Sequence, residues 1–264
     1  MQGKIFDTHA HYDDEAFLND RNEILKKIKD EGVYAAVNAG VDILSSKESI
    51  KLSQEFDFIY AAVGVHPLNI ENLDKDYLNI LRKLVENKKN KIVAIGEIGL
   101  DYHTEPFNKD LQKKIFKEQI LLANNCSLPV IIHSRDANSD SFDLIKECKP
   151  NGIVHCFSGN LDLAKELIKL GMYIGVGGVI TFKNAQKLVE VVKNISLGNI
   201  VLETDCPYMA PVPFRGKRCD SSMIKHVAKK IADIKDESLE TVLNRTKENA
   251  KLIFKVWYIS AKSA

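Results

Sequence analysis

Residues 5–12 read IFDTHAHY. An extended chain sends successive side chains to opposite faces, so Asp7, His9 and His11 share a face with Ile5, while Phe6, Thr8 and Ala10 take the other. A buried strand ordinarily fills its inward positions with Val, Ile or Leu. This run starts that way and turns polar at its C-terminal end, the pattern of a strand that leaves a core and enters a site. Packing gives no reason for two imidazoles beside a carboxylate, so the H-x-H pair reads as metal ligands.

The same pattern recurs along the chain. Short runs rich in Val and Ile, at 4–11, 34–40, 58–67, 91–101, 128–136, 152–159, 172–178 and 199–205, read as strands. Helical periodicity marks 21–32, 76–90, 111–125, 141–149, 161–171, 184–194, 222–233 and 237–254. In the first of these, Ile24, Leu25 and Ile28 form one stripe opposite Lys and Glu, and Gly32 ends it. Such alternation calls for parallel strands joined by helical crossovers, and eight strands close a barrel. The competing open, doubly wound sheet normally carries a G-x-G-x-x-G turn after its first strand, and none is found here. The predicted fold is α/β, a (β/α)8 TIM barrel, as one domain over residues 1–256 with a short tail at 257–264.

Composition narrows the function classes. The chain has 264 residues, 45% of them hydrophobic, enough for a large core. With 37 basic and 36 acidic residues the net charge is +1, so any hold on nucleic acid must come from a local patch. The N-terminal stretch MQGKIFDTHAH lacks the apolar core and cleavage site of a signal peptide, and no run approaches the roughly 18 apolar residues of a membrane span. Cys126, Cys148, Cys156, Cys206 and Cys219 are odd in number, scattered and without a C-x-x-C pair, which reads as reduced thiols. A cytoplasmic globular protein follows, with no membrane association and no sign of an obligate protein partner.

The polar residues fall at strand ends. His9 and His11 end the first strand, His66 the third, Glu97 the fourth, His133 the fifth, His155 the sixth and Asp205 the eighth. Active sites of β/α barrels sit at that C-terminal face. Imidazole and carboxylate together suit zinc, manganese, iron or related divalent cations. Glu97 can bridge two ions, with His9, His11 and Asp205 serving one and His133 and His155 the other. Two ions about 3.5–4 Å apart activate water and stabilise both oxygens of a phosphoryl displacement. His66, alone at its strand end, is open between ligand and supporting roles. Cys156 and Cys206 follow a candidate ligand directly, and alternation turns them away as inert thiols. Beside Asp205, the stretch APVPFRGKR carries Arg215, Lys217 and Arg218. It is either a solvated loop or a phosphate-facing one in which an arginine such as Arg215 grips bidentately.

The ordered set DTHAH, GVHP, GEIGLDY, PVIIHSRDA, HCFSG, GVGG, LETDCPYMAP, RGKR and TKENAKLIF resembles the TatD-family metal-dependent DNases over residues 4–255. The resemblance implies a barrel of the amidohydrolase type with a divalent-metal centre and DNase or 3′–5′ exonuclease activity. It implies two divalent ions (Mg, Mn or Zn) held by His9, His11, Glu97, His133, His155 and Asp205, with Glu97 bridging. Asp205 also helps orient or deprotonate the attacking water, making Asp205 and Glu97 the catalytic pair. The same resemblance implies that His66 and Arg135 lie near the substrate, DNA as a single strand or a 3′ end. After RGKR many relatives run to an Asn–Glu pair and a proline, whereas this chain has CDSS at 219–222, a departure that bears on the substrate loop. Two alternatives remain on the same residues. One is a metal-dependent amide or ester hydrolase, such as an aminoacyl-nucleic-acid deacylase; the other is a non-catalytic binding barrel, against which the intact ligand set argues.

Overall fold

The computed structural model describes residues 4–256; the predicted tail at 257–264 lies outside the described residues. Eight parallel strands run in sequence order: β1 (Ile5–Ala10), β2 (Val33–Ala39), β3 (Ile59–Val63), β4 (Ile92–Asp101), β5 (Val130–Arg135), β6 (Gly152–Val154), β7 (Met172–Val176) and β8 (Ile200–Leu202). Between them pass α1 (Arg21–Asp30), α2 (Ile43–Glu55), α3 (Tyr77–Glu86), α4 (Lys109–Asn125), α5 (Asn138–Cys148), α6 (Leu161–Lys169) and α7 (Gln186–Asn194). After β8 come α8 (Ile224–Lys235) and α9 (Leu239–Phe254). The arrangement is the expected β/α barrel.

One apolar cluster joins Phe6, Val37, Ala62, Ile131, Ile153 and Val201 to Ala250, Ile253 and Phe254 of α9, where Phe254 stacks on Phe6 with ring centroids 5.9 Å apart. His133 stands two residues beyond Ile131 and His155 two beyond Ile153. Alternation therefore aims those imidazoles along the same face, past the end of the apolar fill. A larger cluster holds the opposite strand faces, including Ile5, Ile132 and Val154, against the helices.

Closure is made between the end of β1 and the turn beyond β8. Ala10 and Cys206 form a parallel bridge, the Asp205 N–H donates to the His9 carbonyl at 3.0 Å, and the His11 N–H donates to the Cys206 carbonyl at 2.9 Å. Asp7 fastens this seam from behind. Its carboxylate accepts from Thr204 Oγ1 and Ser221 Oγ, both at 2.6 Å, and from the backbone N–H groups of Thr204 at 3.1 Å and His9 at 3.2 Å. Burial outweighs these bonds and pushes the Asp7 carboxyl up to about 6.

One expectation is corrected, and one helix escapes the sequence reading. Asp7 does not share the face of His9 and His11, because the pairing register of β1 with β2 shifts between Asp7 and Ala10 and breaks strict alternation. The helix α2 escapes a reading by periodicity because serines occupy its buried positions. Ser46, Ser49 and Ser53 are all buried; Ser53 Oγ donates to the Ile50 carbonyl, and Ser49 Oγ accepts from Asn38. Asp42 and Ser45 start that helix with reciprocal side-chain-to-backbone caps.

The register between β4 and β5 sets Gly99 opposite His133. Gly99 has φ +150°, and a Cβ there would sit 1.9 Å from the His133 carbonyl oxygen. Gly99→Ala is expected to cost about 2–4 kcal/mol in chemical denaturation, from strain and overpacking together. An unchanged denaturation midpoint would show that the two strands shift apart freely.

Candidate metal centre

Glu97 lies at the middle of the strand-end cluster and is 4% exposed. Its Oε1 lies 2.9 Å from His133 Nδ1, 2.9 Å from His155 Nε2 and 3.6 Å from His66 Nε2. Its Oε2 lies 3.4 Å from His9 Nε2 and 3.6 Å from His11 Nε2. Asp205 Oδ1 approaches the same two nitrogens, at 3.5 and 3.4 Å. His9 Nε2 and His11 Nε2 are 2.9 Å apart, and the His9 ring stacks on His155 with centroids 4.0 Å apart. Strands β1, β4 and β5 and the turns after β6 and β8 thus bring all six predicted ligand residues together, and the two oxygens of Glu97 face different imidazole pairs.

Charge in this cluster follows from burial and mutual contact. Burial opposes the Glu97 charge, but the imidazoles of His155, His9 and His66 hold its carboxyl well below the usual carboxylate range. Asp205 is likewise lowered: burial raises its carboxyl, and the imidazoles of His11, His155 and His9 together outweigh that. Burial, reinforced by His155, lowers His9 to about 4. Burial also works against charge on His11 and His133, yet Asp205 and Glu97 raise the first to about 9, and Asp101 and Glu97 raise the second to about 9.

These groups form the floor of a cavity of about 840 Å³. His66 and Arg135 line it, and so do Lys187 and Tyr208, which sequence reading gave no role. Lys187 carried no signal among so many lysines. Arg215 is not among the lining residues; its guanidinium lies 4.5 Å over the Phe182 ring. Arg218 is bound to Asp20 through Nη1 at 2.9 Å and lies 4.8 Å over Phe17, so it clamps the loop to the segment before α1. The CDSS segment also turns away from the cavity. Ser221 holds Asp7, and Asp220 caps the turn at Ser221–Met223 and pairs with Lys27 at 3.3 Å. Cys206 is buried as expected, whereas Cys156 lines the cavity. Burial and the Asp205 carboxylate push the Cys156 thiol up, so it stays protonated.

The family model described as TatD related DNase matches residues 6–255. The chain belongs to the TatD family. The metal-dependent hydrolase YabD of Bacillus subtilis is 42% identical over 255 residues, covering 96% of this chain and 99% of YabD. The metal-dependent hydrolase YcfH of Escherichia coli is 32% identical over 258 residues, 96% of each chain. Among solved structures, the TatD homologue YjjV of Escherichia coli has a TM-score of 0.92 at 30% identity, covering 97% of this chain and 100% of that one. A TatD family hydrolase of Entamoeba histolytica has a TM-score of 0.86 at 25% identity, covering 96% and 99%. This TatD-family chain is a metal-dependent hydrolase.

Its residues fit an ion. His11 Nδ1 lies 2.9 Å from the Ala39 carbonyl, which can only accept. A neutral His11 therefore carries its proton on Nδ1 and turns the Nε2 lone pair toward His9, Glu97 and Asp205. Lone pairs and carboxylates packed so closely repel unless a cation or protons stand among them. By distance alone, three groups of side chains among the described residues lie within reach of a shared ion: His9, Glu97 and His155; His9, His11 and Asp205; and His66, Glu97 and His133. Adding Mn²⁺ or Zn²⁺ to chelated protein is expected to raise its thermal midpoint, by the equivalent of about 2.7 kcal/mol at 100 times the dissociation constant. Glu97→Ala should lose most of that shift. A wild-type midpoint indifferent to both ions would mean that the cluster takes up neither.

Proposed function

We propose that this hydrolase cleaves phosphodiester bonds at the ends of DNA, from a 3′ end or on a single strand, with two divalent ions (Mg, Mn or Zn). The observation that carries the proposal is the two-sided environment of Glu97. On this reading Glu97 is shared, His9, His11 and Asp205 complete one position, and His133 and His155 complete the other. The family description supports DNA as the substrate class. Five cysteines free of disulfides fit reducing, cytoplasmic surroundings.

When bound, the ions supply Lewis acidity to the phosphoryl oxygens and acidify water at the cavity floor. Asp205 takes the proton of the attacking water on its ionised carboxylate. As the new oxygen–phosphorus bond forms, the bond from phosphorus to the bridging oxygen breaks. His66 acts as a donor. Its Nδ1 accepts from the Leu68 N–H at 3.2 Å, so the neutral ring carries its proton on Nε2, aimed into the centre. Burial, against the pull of Glu97, lowers His66 to about 4 and keeps it neutral. With no lone pair at Nε2 to give, His66 hydrogen-bonds a phosphoryl oxygen instead of holding an ion.

Arg135 and Lys187 offer local cations to the flanking phosphates, which the near-zero net charge makes necessary. Tyr208 is 55% exposed at the cavity rim while its hydroxyl donates to Asp14 at 2.8 Å. That tether leaves a ring face free to stack on a base.

The test is digestion of end-labelled single-stranded, duplex and covalently closed circular DNA with Mg²⁺ or Mn²⁺, with and without chelator. Chelator-sensitive, stepwise shortening from one end with circles spared is the expected result. Efficient nicking of circles would overturn end recognition, and inactivity on every nucleic acid would favour the amide or ester reading.

Asp205→Asn should keep oligonucleotide binding and lose turnover by about 100-fold or more, because the amide cannot accept the proton. Turnover at the wild-type rate would leave Asp205 a structural role only.

A further inference from the structure

We infer that Asp101 is a positioning residue for the centre: it fixes the ring orientation and tautomer of His133 so that the Nδ1 lone pair faces Glu97. The inference rests on the ligand role proposed for His133. Asp101 ends β4 and is 1% exposed. Glu97, Gly99 and Asp101 alternate along that strand, so the carboxylate is presented toward β5 from the strand that carries the shared ligand. Asp101 Oδ2 lies 3.0 Å from His133 Nε2, and His133 Nδ1 lies 2.9 Å from Glu97 Oε1. The ring is therefore held at both nitrogens, between two carboxylates of one strand.

Asp101 is itself held at every polar atom. Its Oδ1 accepts from the backbone N–H groups of His103 and Thr104, both at 3.0 Å. Its own N–H donates to Gln112 Oε1 and its carbonyl accepts from Gln112 Nε2, both at 2.9 Å, which ties the strand end to α4. An ionised carboxylate can only accept. A neutral His133 must then carry its proton on Nε2, leaving Nδ1 as the lone pair. The neighbouring imidazoles lack such a partner. His11 donates to a backbone carbonyl, and Nδ1 of His9 and of His155 has no hydrogen-bond partner among the described residues. Of the imidazoles assigned to ion binding, His133 has the hydrogen-bonded carboxylate, and a carboxylate partner both orients the ring and makes its free nitrogen more basic.

Asparagine cannot replace this residue. One carbonyl oxygen would face three donors: the His103 and Thr104 N–H groups and His133 Nε2–H. Either the loop or the imidazole must go unserved.

Zn²⁺ titration of the metal-free chain, followed by calorimetry, tests the inference together with two-bond ¹H–¹⁵N spectra of ¹⁵N-imidazole-labelled, Zn²⁺-loaded protein. His133→Ala assigns the resonance and shows which uptake step needs this ring. Asp101→Ala is expected to weaken that same step by about 10- to 100-fold, leave any other step within about twofold, and shift and broaden the His133 Nε2–H signal, which loses its carboxylate acceptor. Should Asp101→Ala not fold, Asp101→Leu, which keeps the volume and offers no acceptor, is read by the same criteria. Wild-type affinity with an unchanged Nε2–H signal in the variant, equal weakening of all steps, or a proton on His133 Nδ1 in the loaded wild type would each overturn the inference. If His133→Ala alters no step, the ligand role of His133 fails first, a result distinct from failure at Asp101 alone.

Discussion

A carboxylate removed from water at the centre of a barrel sets the terms for everything around it. Taking the Glu97 charge into a site that water barely reaches is costly unless compensating groups meet both oxygens. Strands β1 and β5 and the turns after β1 and β6 answer that demand with imidazoles, two close to Oε1 and two nearer Oε2. Neutral or protonated, those rings are themselves crowded, which is why the same cluster suits a divalent cation. Rigid surroundings hold the arrangement: Gly99 lets β4 approach β5, and Gln112 clasps the backbone at Asp101.

The barrel's closing seam and its chemistry occupy the same few residues. The backbones of His9, His11 and Asp205 exchange hydrogen bonds across β1 and the turn after β8 while their side chains meet above. Asp7, Thr204, Ser221 and Tyr12 lock the seam from the helix side, where Tyr12 OH and Ser221 Oγ are 2.6 Å apart. Displacing one edge of the seam would therefore move the functional groups as a unit.

Much of this was legible because strand geometry turns sequence spacing into direction. The H-x-H pair and the placement of Glu97, His133, His155 and Asp205 at strand ends led to one cluster, and the structure brings those side chains within contact of one another. What resisted reading depended on partners distant in sequence. Asp7 looked like a member of the imidazole face until a register shift in β1 sent its carboxylate to Thr204 and Ser221. Arg218 looked free to meet phosphate, but Asp20 and Phe17 claim it from the other end of the chain. Serines hid α2 because their burial is repaid by hydrogen bonds to other elements, which no periodicity reports. Asp101 was visible in alternation with Glu97, but its meaning required the ring of His133 across the β4–β5 ladder.

The seam also bears on how the molecule is born. Synthesis delivers His9 and His11 long before residues 204–206, so their strand finds its second neighbour only when those residues have been made. A nascent chain grown through β5 holds His9, His11, Glu97 and His133 but neither His155 nor Asp205. Joining the first strand to the last is a contact of long sequence separation, the kind that forms late and limits folding speed. Assembly of the centre is thus tied to synthesis past β8: a ribosome that stalls before it releases fragments with ligands but no centre.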